Sequence, residues 1–208
     1  RSTLLRSFLT PVGRRLFPLI AQVELQGVEN LPVEGAVILA CNHMTNFDVL
    51  PIQLSLPRPI FFMGKAELFQ NPILDFGFRQ FGAFPVYRGQ QDEWAMHHAR
   101  LVLEQGQVLG MFPEGRRSRE KGLSPAKTGT ARLAIGARRP ILPGALVGTR
   151  QMLKHFPRRT DVSLKFGELI WPEPNETALS LTDRLMFAIS ELLPPELHGA
   201  YSIHPAGL

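Results

Sequence analysis

The sequence predicts an α/β fold in a single domain, with a largely parallel or mixed central sheet flanked by helices. Short apolar strands alternate along the chain with amphipathic helices. Several of these strands are apolar throughout, as expected when helices cover both faces of a sheet. The composition agrees, because 44% hydrophobic and 20% charged residues over 208 positions are typical of a globular domain.

The predicted elements follow one another without a repeat or a low-complexity linker. Residues 4–23 carry apolar side chains at helical spacing, and Pro11 and Pro18 predict that this helix is interrupted. This pattern suits a helix pair resting on a bilayer, and it also suits a helix packed on the core. We therefore divide the chain into an amphipathic, membrane-facing segment (1–24) and an α/β domain (25–208). Strands are predicted at 35–41, 59–64, 107–112, 140–148 and 161–171, and helices at 46–56, 92–106, 129–137 and 181–193.

Charge is distributed unevenly along the chain. The net charge is +5, but residues 116–159 alone hold twelve Lys or Arg and one acid. Such a block favours an anionic partner, including phosphate or an acidic membrane surface, and it also suits a solvated basic face. It lacks the interleaved aromatic residues and the motifs of a nucleic-acid-binding surface, so we expect no nucleic-acid partner. No apolar run approaches the ~18 residues of a membrane span.

A histidine and an aspartate follow the first apolar strand. In one continuous helix, His43 and Asp48 would point ~140° apart and could not touch. They meet only if His43 lies in the turn before the helix and Asp48 in its first turn, with Thr45 or Asn46 as the cap. The alternative is a plain capping pattern of Thr45 and Asp48 beside a loop histidine.

Two further charged residues follow predicted strands. Arg88 ends the segment FPVYR, and Glu114 lies in FPEGRRS, directly after the strand at 107–112. The carboxyl ends of strands in an open α/β sheet converge on one crevice. We therefore expect His43, Arg88 and Glu114 to face the same crevice.

Four ordered blocks resemble the glycerolipid acyltransferase family, and most closely its bacterial 1-acylglycerol-3-phosphate acyltransferases. The blocks are Asn42-His43-x4-Asp48, Val86-Tyr87-Arg88-Gly89, Phe112-Pro113-Glu114-Gly115-x-x-Ser118 and Pro140-Ile141-Leu142-Pro143. The resemblance runs from about Gly27 to about Gly148, and Lys65 and Gly129 match it between the blocks. The fourth block departs from the family pattern, since Gly144-Ala145 replace bulkier aliphatic residues.

The resemblance implies acyl transfer from acyl-CoA or acyl-carrier protein to the free hydroxyl of a lysophospholipid. The expected acceptor is 1-acylglycerol 3-phosphate, which gives phosphatidic acid in phospholipid biosynthesis. His43 suits the role of general base, and Asp48 that of its orienting acid. The expected substrate-binding residues are Lys65, Arg88, Glu114, Gly115, Arg116 and Ser118. The basic residues among them are expected to bind the acceptor phosphate. Backbone N–H groups near Gly115 are expected to form an oxyanion hole.

The expected partners are therefore a lysophospholipid, an acyl thioester and an anionic membrane surface. We expect no metal and no cofactor beyond the thioester co-substrate, and a location on the cytoplasmic face of the inner membrane. Half of the fourteen phenylalanines fall between Phe61 and Phe84, where they predict either a wall for the acyl chain or ordinary core.

Two alternatives of a different kind stay open. Other members of the family acylate glycerol 3-phosphate or lyso-ornithine lipid, so the acceptor can differ. The single cysteine, Cys41, excludes an internal disulfide and fits a reducing compartment. With His43 and Asp48 it could instead form a thioesterase or cysteine hydrolase site, although a cysteine inside an apolar strand is more often a small buried residue.

Overall fold

The computed structural model describes residues 4–87, 93–118, 122–152, 154 and 157–203. Within these ranges the chain forms strands and α-helices in the alternating order that the sequence predicts. The strands are β1 (Ala21–Gln26), β2 (Val37–Cys41), β3 (Ile60–Lys65), β4 (Ala83–Val86), β5 (Val108–Met111), β6 (Ile141–Val147) and β7 (Thr160–Phe166). The helices are α1 (Leu4–Leu16), α2 (Val49–Ser55), α3 (Pro72–Gln80), α4 (Glu93–Glu104), α5 (Gly129–Ala137) and α6 (Ala178–Leu192).

The strands form one mixed sheet in the order β1-β7-β6-β2-β5-β3-β4. The five strands from β6 to β4 are parallel to their neighbours, whereas β7 runs antiparallel to β6 and parallel to β1. The predicted single-domain α/β fold with a parallel or mixed sheet is therefore confirmed. The carboxyl ends of β2, β3, β4, β5 and β6 lie along one edge of the sheet, here called the active edge.

The core lies on both faces of the sheet. Successive residues of β2 alternate between the two sides: Ile38 packs with residues of α4, α5 and α6, whereas Leu39 packs with Phe17 and with Ile52 of α2. All five residues of β2 are buried. This double burial explains why the strand reads as a continuous apolar run instead of an alternating one.

Several boundaries differ from the sequence prediction, and strand β7 ends at Phe166, five residues before the predicted end at 171. Helix α2 begins at Val49 and not at residue 46, because the preceding backbone is folded into a turn around Asp48. Helix α1 runs through Pro11, and the break falls at the 3-10 turn Phe17–Leu19, which contains Pro18. No helix in the described part of the chain is long and apolar enough to cross a bilayer.

Candidate active site

His43 and Asp48 meet at the active edge. The Nδ1 atom of His43 lies 2.8 Å from Oδ2 of Asp48. His43 occupies the turn after β2, and Asp48 stands at the N-cap position of α2, directly before its first helical residue. The side chain of Asp48 is fully buried and that of His43 is 11% exposed. The expected pairing is thus present, but the N-cap position is Asp48 and not Thr45 or Asn46, and the Asp48 side chain makes no capping hydrogen bond to α2.

The carboxylate of Asp48 holds the whole turn together. Its Oδ2 atom also accepts hydrogen bonds from the backbone N–H groups of Met44 (2.6 Å) and Thr45 (2.8 Å). Its Oδ1 atom accepts from the hydroxyls of Thr45 (2.9 Å) and Thr149 (2.6 Å). Burial by itself raises the pKa of Asp48, but the hydrogen bonds from His43, Thr149 and Thr45 outweigh it and hold the pKa below its ordinary value.

This arrangement determines which nitrogen of His43 is free to act. An ionised carboxylate only accepts hydrogen bonds, so the Nδ1 atom beside Asp48 carries the proton. In the neutral ring, Nε2 then keeps its lone pair and points away from the carboxylate. His43 is thereby held in the tautomer that a general base requires.

The loop after β5 forms hydrogen bonds with both the backbone N–H and the backbone carbonyl of His43. Glu114 Oε1 accepts a hydrogen bond from the N–H of His43 at 3.0 Å. The carbonyl of His43 accepts from the N–H (2.7 Å) and the hydroxyl (3.1 Å) of Ser118. The second oxygen of Glu114 accepts from the N–H of Ser124 at 2.8 Å. The peptide that carries the histidine is therefore fixed independently of its ring.

Glu114 and Ser118 are both buried. Burial raises the pKa of Glu114 above its ordinary value, and the hydrogen bonds from the His43 and Ser124 amides offset this only in part. The hydrogen bonds from Glu114 to the His43 amide and from the Ser118 hydroxyl to the His43 carbonyl go to the backbone of the site. Their expected role in lining the acceptor site stays a prediction.

The other expected binding residues are more scattered. Lys65 lies at the carboxyl end of β3, where its Nζ atom is 2.8 Å from Oε1 of Glu67. Arg116 is exposed on the loop after Gly115. Gly115 adopts a positive φ of 63°, and its own N–H donates to the carbonyl of Phe112. This amide is therefore engaged, and an oxyanion hole from the other backbone N–H groups near Gly115 stays a prediction. Arg88 lies outside the described residues.

A cavity of about 940 Å³ opens beside the pair. Phe112 connects the two features, because its ring stacks on His43 with centroids 4.1 Å apart and also lines the cavity. The apolar wall consists of Met63, Val86, Met96, Met111 and Phe112. None of the phenylalanines between Phe61 and Phe84 is among the described lining residues, so the acyl-chain wall expected there does not coincide with this cavity.

Cys41 lies in the hydrophobic core, where it is not accessible as a nucleophile. It is 1% exposed, in the last position of β2. Burial above all, and the neighbouring charge of Asp48 to a lesser degree, raises the pKa of the thiol. A buried, protonated thiol is inert, because the thiolate is the reactive form. The geometry therefore disfavours the hydrolase alternative.

Cys41 also explains the departure in the fourth sequence block. A Cβ atom added to Gly144 would lie 2.6 Å from Sγ of Cys41 and 3.3 Å from the ring of Phe166. Gly144 pairs with Cys41 across β6 and β2. The thiol and the ring occupy the space that a bulkier aliphatic side chain would need, so glycine is required here.

Two residues of the site were missed from the sequence. Thr149 follows β6 at the active edge, as His43 follows β2, so its position after a strand was a usable signal. Asn42 exchanges two hydrogen bonds with the backbone of Leu146, at 2.9 and 2.7 Å, and so continues the pairing of β2 with β6 beyond the last strand residue. Its role depends on the order of strands in the sheet, which local sequence does not reveal.

The fold and the site define an enzyme of the α/β class with a buried histidine, oriented by a carboxylate, at the carboxyl edge of its sheet. The chain belongs to the acyltransferase family, whose model, described as Acyltransferase, matches residues 22–147. This match covers β1 to β6 and includes His43, Asp48, Glu114 and Ser118.

Curated relatives agree with this membership, and one solved structure shares the fold. The chain is 32% identical over 147 residues to the 1-acyl-sn-glycerol-3-phosphate acyltransferase of Bacillus subtilis, covering 70% of this chain and 72% of that protein. It is 31% identical over 133 residues to the enzyme of the same name from Escherichia coli, covering 62% and 54%. The crystal structure of the 1-acyl-sn-glycerophosphate acyltransferase PlsC from Thermotoga maritima shares the fold, with a TM-score of 0.73, 23% identity and coverage of 90% and 78%.

Proposed function

We propose that this chain transfers a fatty acyl group from acyl-CoA or acyl-carrier protein to the free hydroxyl of 1-acylglycerol 3-phosphate, giving phosphatidic acid. The observation that carries the proposal is the buried contact of His43 with Asp48, held in the base-competent tautomer at the active edge. The names of the B. subtilis and E. coli relatives support this choice of acceptor.

The proposed reaction is a direct transfer. Nε2 of His43 takes the proton from the acceptor hydroxyl while the hydroxyl oxygen attacks the carbonyl carbon of the thioester. The new C–O bond forms, the C–S bond breaks, and the departing thiolate takes the proton from the imidazolium. A thioester already has a good leaving group, so no covalent enzyme intermediate is needed. Asp48 stabilises the imidazolium that forms in between, because its pKa is held low and it stays ionised.

Glu114 and Ser118 act as positioning residues in this scheme. They hold the backbone N–H and carbonyl of His43, which determines where Nε2 points. A misplacement of about 1 Å costs a reaction of this kind a large part of its rate, since the reacting atoms must be about 3–3.5 Å apart. The acceptor phosphate is assigned to the cations Lys65, Arg88 and Arg116, as a proposal from the sequence.

We also propose that the protein works as a peripheral enzyme on the cytoplasmic face of the inner membrane. Three apolar side chains near the N-terminus are exposed: Val12 (40%), Leu16 (54%) and Leu19 (55%). Because β1 runs antiparallel to β6, the chain enters the sheet at Ala21 on the active edge, close behind Leu19. Arg14 donates to the carbonyl of Leu56 and thus ties α1 to the end of α2.

A product assay tests the proposed function and its alternatives together. The purified protein is incubated with acyl-CoA or acyl-carrier protein and, in separate reactions, with 1-acylglycerol 3-phosphate, glycerol 3-phosphate and lyso-ornithine lipid, and products are identified by mass spectrometry. Phosphatidic acid as the main product supports the proposal. Turnover only with another acceptor, or free fatty acid as the sole product, would overturn it.

A further inference from the structure

Three cations line the cavity beside the catalytic pair and have no role in the proposed reaction. They are Arg100 on α4, Lys127 before α5, and Arg132 on α5. The other titratable residues of the described lining are His97, Tyr87 and one carboxylate, Glu93. The cavity therefore combines an apolar wall of methionines with an excess of positive charge, which suits a ligand that is both apolar and anionic.

The first turn of α5 borders the same cavity. Thr128, Gly129 and Thr130 all line it. The N–H groups of a first helical turn have no acceptor within the helix, and the N-cap residue Thr128 supplies no side-chain hydrogen bond. No acidic residue lies in this turn. The positive end of the helix thus faces the cavity without a carboxylate from its own first turn to neutralise it.

Thr130 provides an independent indication of a ligand. Thr130 is 1% exposed, and its hydroxyl is buried without a hydrogen-bond partner among the described residues. Leaving a buried hydroxyl unpaired costs roughly 1–3 kcal/mol. Thr130 is also one of the residues that line the cavity, so a group bound there would be placed to supply the missing partner.

The backbone at this point is open to close approach. A Cβ atom added to Gly129 would meet nothing within 4 Å, so free space adjoins the first amide of the helix. On the opposite side, the Lys127 side chain lies against Gly115, with its Cε atom 3.2 Å from the place of a Cβ there. Gly115 directly follows Glu114, so Lys127 joins this helix end to the loop that holds His43.

From these contacts we propose a phosphate-binding subsite in the cavity, formed by the N-terminal amides of α5, the hydroxyl of Thr130 and the ammonium group of Lys127. Backbone amides at a helix N-terminus, together with a hydroxyl and a lysine, are a recurrent phosphate-binding combination. The inference rests on the proposed function, in which both substrates carry phosphate. The acceptor has a monoester, and the phosphate on the pantetheine arm of the donor belongs to a diphosphate in acyl-CoA and to a phosphodiester in acyl-carrier protein.

Binding of substrate fragments tests the subsite without requiring turnover. Glycerol 3-phosphate is compared with glycerol, and 4′-phosphopantetheine with pantetheine, by calorimetric titration of the full chain. Thr130→Val keeps the side-chain shape and removes the hydroxyl, which should weaken binding of the phosphate-bearing fragment roughly tenfold or more. Gly129→Ala adds a methyl group in the open space and should act in the same direction.

Gly136→Ala is the matched control, because it makes the same substitution on the same helix, at an exposed position away from the cavity where a Cβ also meets nothing. It should leave the affinity unchanged. An effect on glycerol 3-phosphate assigns the subsite to the acceptor phosphate, in addition to the cations Lys65, Arg88 and Arg116, and an effect on 4′-phosphopantetheine assigns it to the donor. Equal binding by wild type, Thr130→Val and Gly129→Ala, or no preference for the phosphate-bearing fragments, overturns the subsite.

Kinetics separate this proposal from the proposed function. With 1-acylglycerol 3-phosphate and acyl-CoA varied in turn, Thr130→Val should raise the KM of one substrate by the factor seen in the fragment titration and leave kcat nearly unchanged. If the wild type forms no acylated product while the fragment titration still responds to Thr130→Val, the proposed function fails and the subsite stands. Product formation with unchanged KM values in both variants overturns the subsite and keeps the function.

Discussion

Thr149 donates a hydrogen bond of 2.6 Å to Oδ1 of Asp48, across 101 positions of sequence. The hydroxyl lies directly after β6, and the carboxylate lies directly before α2. This contact is buried and links the turn before α2 to the segment after β6, a strand that lies next to β2 in the sheet although it is distant in sequence. Thr149 thus completes the set of groups that keep Asp48 ionised.

The first prediction concerns Thr149→Val, which should lower the free energy of unfolding by roughly 1.5–3 kcal/mol at neutral pH, as expected for a hydrogen bond to a charged group. The pKa of folded Asp48 lies below its ordinary value of 3.8, so the stability that this carboxylate contributes is complete above that value and is lost as the pH falls through the folded pKa. The deficit of the variant should therefore shrink in acid. Urea unfolding at neutral pH and near pH 3 measures it.

Thr149→Ser is the control for this prediction, since it keeps the hydroxyl and should retain most of the stability. A deficit in Thr149→Ser as large as that in Thr149→Val would mean that the lost methyl contact matters and not the hydrogen bond. A deficit that does not change with pH would contradict the link to Asp48.

The second prediction concerns Glu114, in the loop that forms hydrogen bonds with the backbone of His43. Glu114→Gln replaces one carboxylate oxygen by an NH2 group. This donor must then face a backbone N–H, of His43 or of Ser124, so one of the two hydrogen bonds is lost. The substitution should destabilise the fold by roughly 1–3 kcal/mol. It should also lower kcat with little effect on KM, because the histidine is displaced. The matched control is Glu104→Gln, an exposed carboxylate on α4, and loss of activity in both variants to the same degree would refute the positioning role.

The third prediction separates the transferase from the thiol hydrolase alternative. Cys41→Ala should leave kcat and KM for acyl transfer unchanged, because the buried thiol is protonated. The cavity left by the sulfur should cost roughly 1 kcal/mol of stability. Acyl-transfer kinetics and thermal unfolding measure the two effects. Loss of turnover in a variant that remains folded would contradict this prediction and support Cys41 as the nucleophile of a hydrolase.

The fourth prediction concerns membrane contact. Replacing Leu16 and Leu19 together by Asp should reduce flotation with anionic vesicles, since exposed apolar side chains are removed and negative charge is added. Val33→Asp is the control, because Val33 is 88% exposed but precedes β2, at the edge of the sheet opposite His43. Binding should weaken further at high salt. Equal flotation of all three proteins would place the contact elsewhere, and no flotation of the wild type would remove the membrane proposal.

Local sequence patterns predicted the elements well because each has its own signature. Strand β2 is a run of apolar residues, and helix α5 begins at Gly129 and ends at Ala137, as its pattern predicted. The pairing of His43 with Asp48 was also foreseen, since only a turn before α2 brings them together. These features depend on neighbours within one short segment.

Features that depend on distant segments were not predicted. The reversal of β1 and β7 follows from the antiparallel pairing of β7 with β6. The hydrogen bonds of Asn42 to Leu146 and the contact of Thr149 with Asp48 follow from β6 lying beside β2. The start of α2 was placed too early, because the turn of Asp48 competes with helix formation over the preceding residues. Side-chain to backbone bonding of this kind displaces a helix start without changing the apolar pattern.

The central claim is that His43, oriented by Asp48, is the base for transfer of an acyl group to a lysophospholipid hydroxyl. The most direct measurement is the initial rate of phosphatidic acid formation from 1-acylglycerol 3-phosphate and acyl-CoA, compared for wild type, His43→Ala and Asp48→Asn, with the fold of each protein checked by circular dichroism. Loss of a general base should lower kcat by about a hundredfold or more in both folded variants. A folded His43→Ala protein that keeps near wild-type turnover would contradict the account.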